Sequence, residues 1–249
     1  MSLDKYRQQI TAVLDRIWTT QSDNIRKAAQ MMAESVAKGG LVHLFGSGHS
    51  VLPVQDVFPR YGSFPVFRPL MDARLMWQNV IGSGGAKGLL WLERQEGYAK
   101  VLFENEPVRA GDVMVVFSHG GMNAAGIEVA LEAKSRGLKV VAITSMDNQR
   151  QAKAKHSSGK KLSDAADVVI DNCVPAIDAL VAIDNWKAPV AAGSTVATVT
   201  IAMAIVAEVA SELSKRGMSF PTFVSPNVPG IPADNNSNVF AAYEKAQKR

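Results

Sequence analysis

Twice in this chain a mostly apolar run of five residues passes straight into a glycine- and hydroxyl-rich loop, and then into a helix. The first is Leu41-Val42-His43-Leu44-Phe45 followed by Gly46-Ser47-Gly48-His49-Ser50. The second is Val113-Met114-Val115-Val116-Phe117 followed by Ser118-His119-Gly120-Gly121-Met122-Asn123. A repeated strand–loop–helix unit calls for crossover connections, hence a parallel sheet with helices on its faces. Further strand-like runs at Pro65–Leu70, Lys139–Thr144 and Ala166–Ile170 complete an expected α/β fold: a doubly wound, mostly parallel five-stranded sheet flanked by helices. Ligands in such sheets bind beyond the carboxyl ends of the strands, where both loops lie. Glycines let backbone N–H groups converge, hydroxyls add donors, and the following helix presents its positive end, so each loop suits an anion. The ligand expected is a phosphorylated small molecule held from two sides.

The 249 residues are enough for one large α/β domain or two small ones. A composition of 47% hydrophobic and 20% charged residues excludes extensive disorder. The net charge of +4 suits an anionic substrate and is too small to call for nucleic acid. Cys173 is the sole cysteine; it reads as a small buried hydrophobe near a strand end, and its isolation points to a reducing, cytoplasmic compartment. No basic, apolar, small-residue leader pattern opens the chain. The uncharged stretch Ala188–Ala207 is long enough to raise a membrane span, but Pro189, Gly193 and the following Glu208 and Glu212 favour a buried core helix, so no membrane partner is expected.

Apolar residues at Ile10, Val13, Leu14, Ile17 and Trp18 step by three and four, which predicts a helix from residue 3, interrupted at Thr19–Ser22 and resumed from Ile25 to Ala37. Further helices are expected at 51–60, Leu92–Asn105, 123–136 and Thr195–Lys215. Residues 72–88 are ambiguous, and 147–163 read as a polar loop or a short helix and loop. Four prolines between Phe220 and Ser237 predict an extended, wrapping tail before a short helix at Asn238–Lys248. The domain division expected is a helical segment at 1–40, a ligand-binding α/β domain at 41–217 and a packing tail at 218–249.

A nicotinamide-binding fingerprint would place its third glycine at position 51, where Val51 stands, although Asp72 follows the second strand as a ribose-binding acid would. A P-loop is excluded, because no Gly-Lys-Ser/Thr follows either loop. The two loops, their order and their spacing resemble the sugar isomerase (SIS) domain. Gly46, Gly48 and Ser50 match its first loop; Ser118 and Gly121 match its second, with Gly120 in place of a second serine. The resemblance spans residues 25–215, and the stretches Phe45–Ser50 and His156–Leu162 resemble a bacterial group of stand-alone phosphosugar isomerases. Phosphoheptose isomerases and N-acetylmuramic acid 6-phosphate etherases are similar. The resemblance implies a flavodoxin-like three-layer sandwich and a phosphosugar ligand. Ser47, Ser50 and Ser118 would give hydroxyls to the phosphate, helped by N–H groups around Gly48, His49, Gly120 and Asn123; His119 lies in the same loop. It also implies a homodimer or higher homo-oligomer.

Interconverting an aldose and a ketose phosphate through an enediol needs a base at carbon and a group to move the hydroxyl proton. The relatives carry an acid ten residues after the first-loop serine, where this chain has Arg60. The base must then come from elsewhere. The candidates are Glu93 and Glu96, expected to share a helix face, Asp56, whose spacing from Arg60 also suits an ion pair, and His156 in the polar loop. His43, inside a strand, reads as a satisfied core residue. Four scattered histidines and one distant cysteine lack metal-ligand spacing, and Asp56 occupies the position of a histidine found in zinc-associated phosphoheptose isomerases, so neither metal nor cofactor is expected. The alternatives to an isomerase are a sugar-phosphate lyase or etherase, and a non-catalytic sugar-phosphate sensor. Sensors in this group carry an N-terminal DNA-binding domain, for which the roughly 40 residues before the first strand are too few.

Overall fold

The computed structural model describes residues 1–248. Five strands form one sheet in the order β2-β1-β3-β4-β5: β1 (Val42–Gly46), β2 (Phe67–Leu70), β3 (Val113–Phe117), β4 (Lys139–Thr144) and β5 (Val168–Asp171). Every pairing is parallel, with Val42 beside both Phe67 and Val113, Val113 beside Lys139, and Val141 beside Val168. The sheet is thus wholly rather than mostly parallel. The order reverses at β1, so the loops after β1 and β3 face each other across the switch point, the crevice where doubly wound sheets take ligands.

Side chains alternate between the two faces of each strand. Val113, Val115 and Phe117 join one core with α1 (Ser2–Ala37), α2 (Val51–Val57) and α8 (Ser194–Lys215). Met114 and Val116 join the other, with α4 (Tyr98–Glu104), α5 (Ala124–Ser135) and α7 (Leu162–Ala165). Three layers result. Short helices α3 (Ala86–Leu92) and α6 (Met146–Gln151) lie at the loop ends, and α9 (Asn235–Gln247) closes the chain.

Helix α1 runs unbroken for 36 residues, about 54 Å, where the sequence predicts an interruption at Thr19–Ser22. The hydroxyls of Thr19, Thr20 and Ser22 bond back to the carbonyls of Asp15, Arg16 and Trp18 at 2.8, 2.6 and 2.6 Å. They are satisfied inside the helix rather than as caps. Gln21 accepts from the Asp171 backbone N–H at 3.1 Å, docking this polar stretch on the end of β5. The apolar helix α8 is the only described helix long and apolar enough to cross a membrane. It buries Ala197, Ile201, Ala202, Ile205, Val209 and Leu213, packing on α1 and α2.

Helix α2 ends at Val57 rather than residue 60, because Phe58 precedes a proline and is extended. The single helix expected at Leu92–Asn105 is two. Helix α3 stops at Leu92, Gly97 turns with φ +89°, and α4 starts at Tyr98. The tail packs along the segment that follows α2. The Gly62 N–H donates to the Phe223 carbonyl and the Phe223 N–H to the Ser63 carbonyl, both at 2.8 Å. Tyr61 stacks on Phe223, whose ring also meets Phe240. Asn236 clips Val224 through both its amide atoms, which is the use of the Asn-rich segment, and α9 starts at Asn235, three residues before its predicted start. Val13 of α1 and Val239 of α9 both belong to the core built on α8.

Candidate functional site

Both glycine loops are forced into shape by their surroundings. A Cβ at position 46 would collide with the carbonyl oxygen of Ser50, so only glycine lets the loop fold back on β1. Gly121 has φ +62°, and a Cβ there would run into Gln149 Nε2. Gln149 in turn donates to the Gly120 carbonyl at 2.7 Å, bracing the second loop from behind.

The loops enclose a cleft of about 190 Å³. Ser47, Gly48, His49 and Ser50 line one side, and Ser118, His119, Gly120 and Asn123 the other. All eight residues picked from the two loops therefore face one space. Trp77, Leu89 and Leu90 form its apolar wall, with the Trp77 ring edge-on to His49 at 4.4 Å. These three lie in or beside the stretch that sequence patterning leaves ambiguous. The only signal available there was an unplaced tryptophan.

The Ser118 hydroxyl accepts the Gly121 N–H at 3.1 Å, which leaves its own proton for a ligand. The His119 ring is held at both nitrogens: Nδ1 accepts from the Asn172 amide at 3.2 Å and Nε2 donates to the Ala176 carbonyl at 3.3 Å. It positions the loop, while His49 remains exposed at the mouth. His43 is wholly buried and bonded to Asp112 at 2.8 Å, the core role expected of it.

The four acids and bases singled out in the sequence do not gather in one place. Glu93 closes the floor of the cleft, 5% exposed, and accepts the Ser47 hydroxyl at 2.8 Å. Burial pushes its carboxyl above the usual carboxylate range, outweighing the Ser47 bond and the nearby Arg94 charge. Glu96 does not share its face. The break before α4 turns Glu96 away to the polar loop, where it takes the Ser157 hydroxyl and backbone N–H, the latter at 2.7 Å. Those two bonds hold its carboxyl below the usual range. His156 lies beside it, with Nε2 3.8 Å from Glu96 and 3.6 Å from Glu128. Glu96 and His156 line a smaller chamber of about 80 Å³, which shares Asn123 with the cleft. Glu128 was not read from the sequence; it looks like an ordinary helix charge until the turn at Gly97 folds over it, giving it the N–H groups of Gly97 and Ala99. Asp56 is ion-paired to Arg60 at 2.8 Å, as the spacing predicts, and lines neither chamber.

Asp72, the candidate ribose-binding acid, is already engaged. It caps a 3-10 turn through the Arg74 N–H, binds the Arg74 guanidinium at 3.0 Å and accepts the Tyr98 hydroxyl. Burial would raise its carboxyl, but the Arg74 and Tyr98 bonds hold it below the usual range. Tyr98, partly buried and facing that carboxylate, is pushed up to about 12. Among the described residues no group of three or more His, Cys, Asp or Glu is arranged to hold a metal ion.

A parallel sheet of order 2-1-3-4-5 with paired glycine loops at its switch point defines a class, and sequence comparison names it: the SIS domain profile matches residues 5–145. The chain belongs to that family. Within it, a UPF0309 protein of Caldanaerobacter subterraneus subsp. tengcongensis is 33% identical over 246 residues, 98% of either chain. Among solved structures, the phosphoheptose isomerase of Neisseria gonorrhoeae superposes with a TM-score of 0.55 over 84% of this chain and 97% of its own, at 16% identity. That of Francisella tularensis gives 0.52 over 84% and 98%, at 17% identity. These likenesses establish the fold as that of phosphoheptose isomerase.

Proposed function

We propose that the protein is a phosphosugar isomerase that interconverts an aldose phosphate and a ketose phosphate. The observation that carries this reading is a buried carboxyl, Glu93, on the floor of the same cleft that both glycine loops enclose. The ligand class is supported by family membership and by the two phosphoheptose isomerases that share the fold. The phosphate rests on Ser118, Ser50 and the backbone N–H groups of the two loops. Glu93 takes the proton from the carbon next to the carbonyl, the electron pair forms the enediol double bond, and the carbonyl oxygen gains a proton. Returning the Glu93 proton to the neighbouring carbon, with loss of the other hydroxyl proton, completes the exchange. His49 at the cleft mouth is the group placed to move the hydroxyl proton. A base works best when its acidity lies near the working pH, and burial moves Glu93 in that direction.

A non-catalytic binder is the second reading, favoured by one observation: Arg60 stands where relatives carry an acid, and it ties up Asp56. Incubation with a panel of aldose and ketose phosphates in deuterated water separates the two. Solvent deuterium entering the carbon beside the carbonyl of one substrate supports the isomerase. Binding without exchange for every member leaves a binder. We further propose that the chain acts as a homodimer or higher homo-oligomer in the cytoplasm, with no metal or cofactor. Val80, Ile81 and Trp91 are exposed on the segments that supply the apolar wall of the cleft, a surface of the kind that marks an interface. A monomer by light scattering at micromolar concentration would remove that proposal.

A further inference from the structure

The His156 side chain is 7% exposed, yet its Nε2 has no hydrogen-bond partner. The other ring nitrogen fixes the tautomer. Nδ1 receives the Ser158 backbone N–H at 3.1 Å, and a backbone N–H can only donate. The neutral ring therefore carries its proton on Nε2. That donor points between two carboxylates that stand at 3.6 and 3.8 Å, beyond hydrogen-bonding range, and both are already held. Gly97 and Ala99 occupy Glu128, and Ser157 occupies Glu96. A buried donor left unmet is costly, and the site calls for an oxygen from outside the protein.

His156 also lines the smaller chamber, together with Arg94, Lys155, Asn123 and Glu96, which puts the buried donor beside that space. Arg94 and Lys155 face the Glu96 carboxylate in its lining, and the Glu128 carboxylate stands 3.6 Å from the same ring nitrogen. A second phosphate or carboxylate would meet those carboxylates at close range, whereas a hydroxyl both donates and accepts and so fits such a mixed lining. Asn123 also lines the phosphate cleft, so a ligand anchored there continues into the chamber past this residue.

We propose that the chamber seats the uncharged, hydroxylated far end of the sugar, with His156 Nε2–H bonding one of its hydroxyls. This rests on the phosphate reading of the cleft. It makes the substrate a monophosphate of a longer sugar, rather than a triose phosphate contained in the cleft or a doubly anionic sugar.

Calorimetric titration of the full chain with inorganic phosphate, dihydroxyacetone phosphate and a panel of five- to seven-carbon sugar monophosphates tests it. His156→Asn places a carboxamide oxygen near Nδ1, keeps the Ser158 bond and removes the donor. His156→Gln returns an amide N–H near Nε2. In the unaltered protein at least one longer sugar phosphate binds about tenfold or more tighter than inorganic phosphate, a difference of about 1.4 kcal/mol. His156→Asn abolishes that advantage, His156→Gln restores most of it, and both bind phosphate and the triose phosphate within about twofold of the original. Three results overturn the proposal: no longer sugar that outbinds phosphate, an advantage that survives in His156→Asn, or a loss in that variant shared equally by inorganic phosphate, which would make His156 only a loop anchor. Failure of the unaltered protein to bind phosphate or any phosphosugar sinks the phosphate cleft itself, and this seat with it.

Discussion

The Glu93→Gln substitution keeps the shape of the cleft floor and removes its charge. The carboxamide oxygen of the variant still accepts the Ser47 hydroxyl, bonded at 2.8 Å in the native site, so the loop should stay in place. Three effects follow from the geometry. On the proposed function, isomerisation would lose its base, and removing a general base costs about 10²- to 10⁴-fold in rate, or roughly 3 to 5 kcal/mol of barrier. Anion binding tightens instead. An anion on the loop N–H groups beside Ser47, whose own hydroxyl proton goes to Glu93, lies on the order of 6 Å from the native carboxylate, and like charges at that separation repel by roughly 3 kcal/mol at an effective dielectric constant of about 20. The gain appears only where Glu93 is ionised. Its folded acidity is weakened by burial, so native affinity for sulfate, an anion that does not itself titrate, falls as pH rises through that raised value, while the variant shows no such fall. Stability follows the same sign. The folded protein holds the Glu93 proton more tightly than the unfolded chain does, so its stabilising share is complete below the ordinary value of 4.5 and is lost as pH rises through the folded value. The variant should therefore gain thermal midpoint over the native protein increasingly with pH. Sulfate titration and thermal melting of both proteins from acid to mildly alkaline pH read the binding and stability effects without a known substrate. Equal sulfate affinity at every pH, together with a variant that melts lower, would refute the placement of a buried, ionisable carboxyl beside the anion cradle.

Two further perturbations probe the frame around the site. Gly121→Ala puts a Cβ at φ +62° and drives it into Gln149; backbone strain plus the lost bond from Gln149 to the Gly120 carbonyl should cost about 2 to 4 kcal/mol, read as a lower urea midpoint with unchanged slope and accompanied by weaker phosphate binding. Phe223→Ala removes the ring that joins Tyr61 to Phe240 and should destabilise by about 2 kcal/mol, with faster amide exchange across residues 220–237 than elsewhere; uniform exchange would mean that the tail is held by its asparagine clips instead.

The layers and the two facing loops are legible in the chain alone. Apolar runs of strand length separated by helix-period segments leave a parallel sheet as the way to pair the strands, and glycines at 46, 48 and 121 mark where backbone must approach backbone or turn left-handed. The helical pattern of α8, Ala197 to Leu213, likewise announces a core helix, because one face repeats every three to four residues. Which acid faces the cleft is settled only once the chain is folded. Glu93 and Glu96 stand three apart, and local pattern predicts one shared face; the turn at Gly97 sends one into the cleft and the other to Ser157. Docking also overrides the predicted break in α1, because hydroxyls that favour a helix end in isolation bond back to the helix once Gln21 is seated on β5. The partner-starved nitrogen of His156 is the same kind of fact. Its tautomer depends on a backbone two residues away, but its neighbours Glu96 and Glu128 come from distant segments, and no local signal in the chain records that they meet.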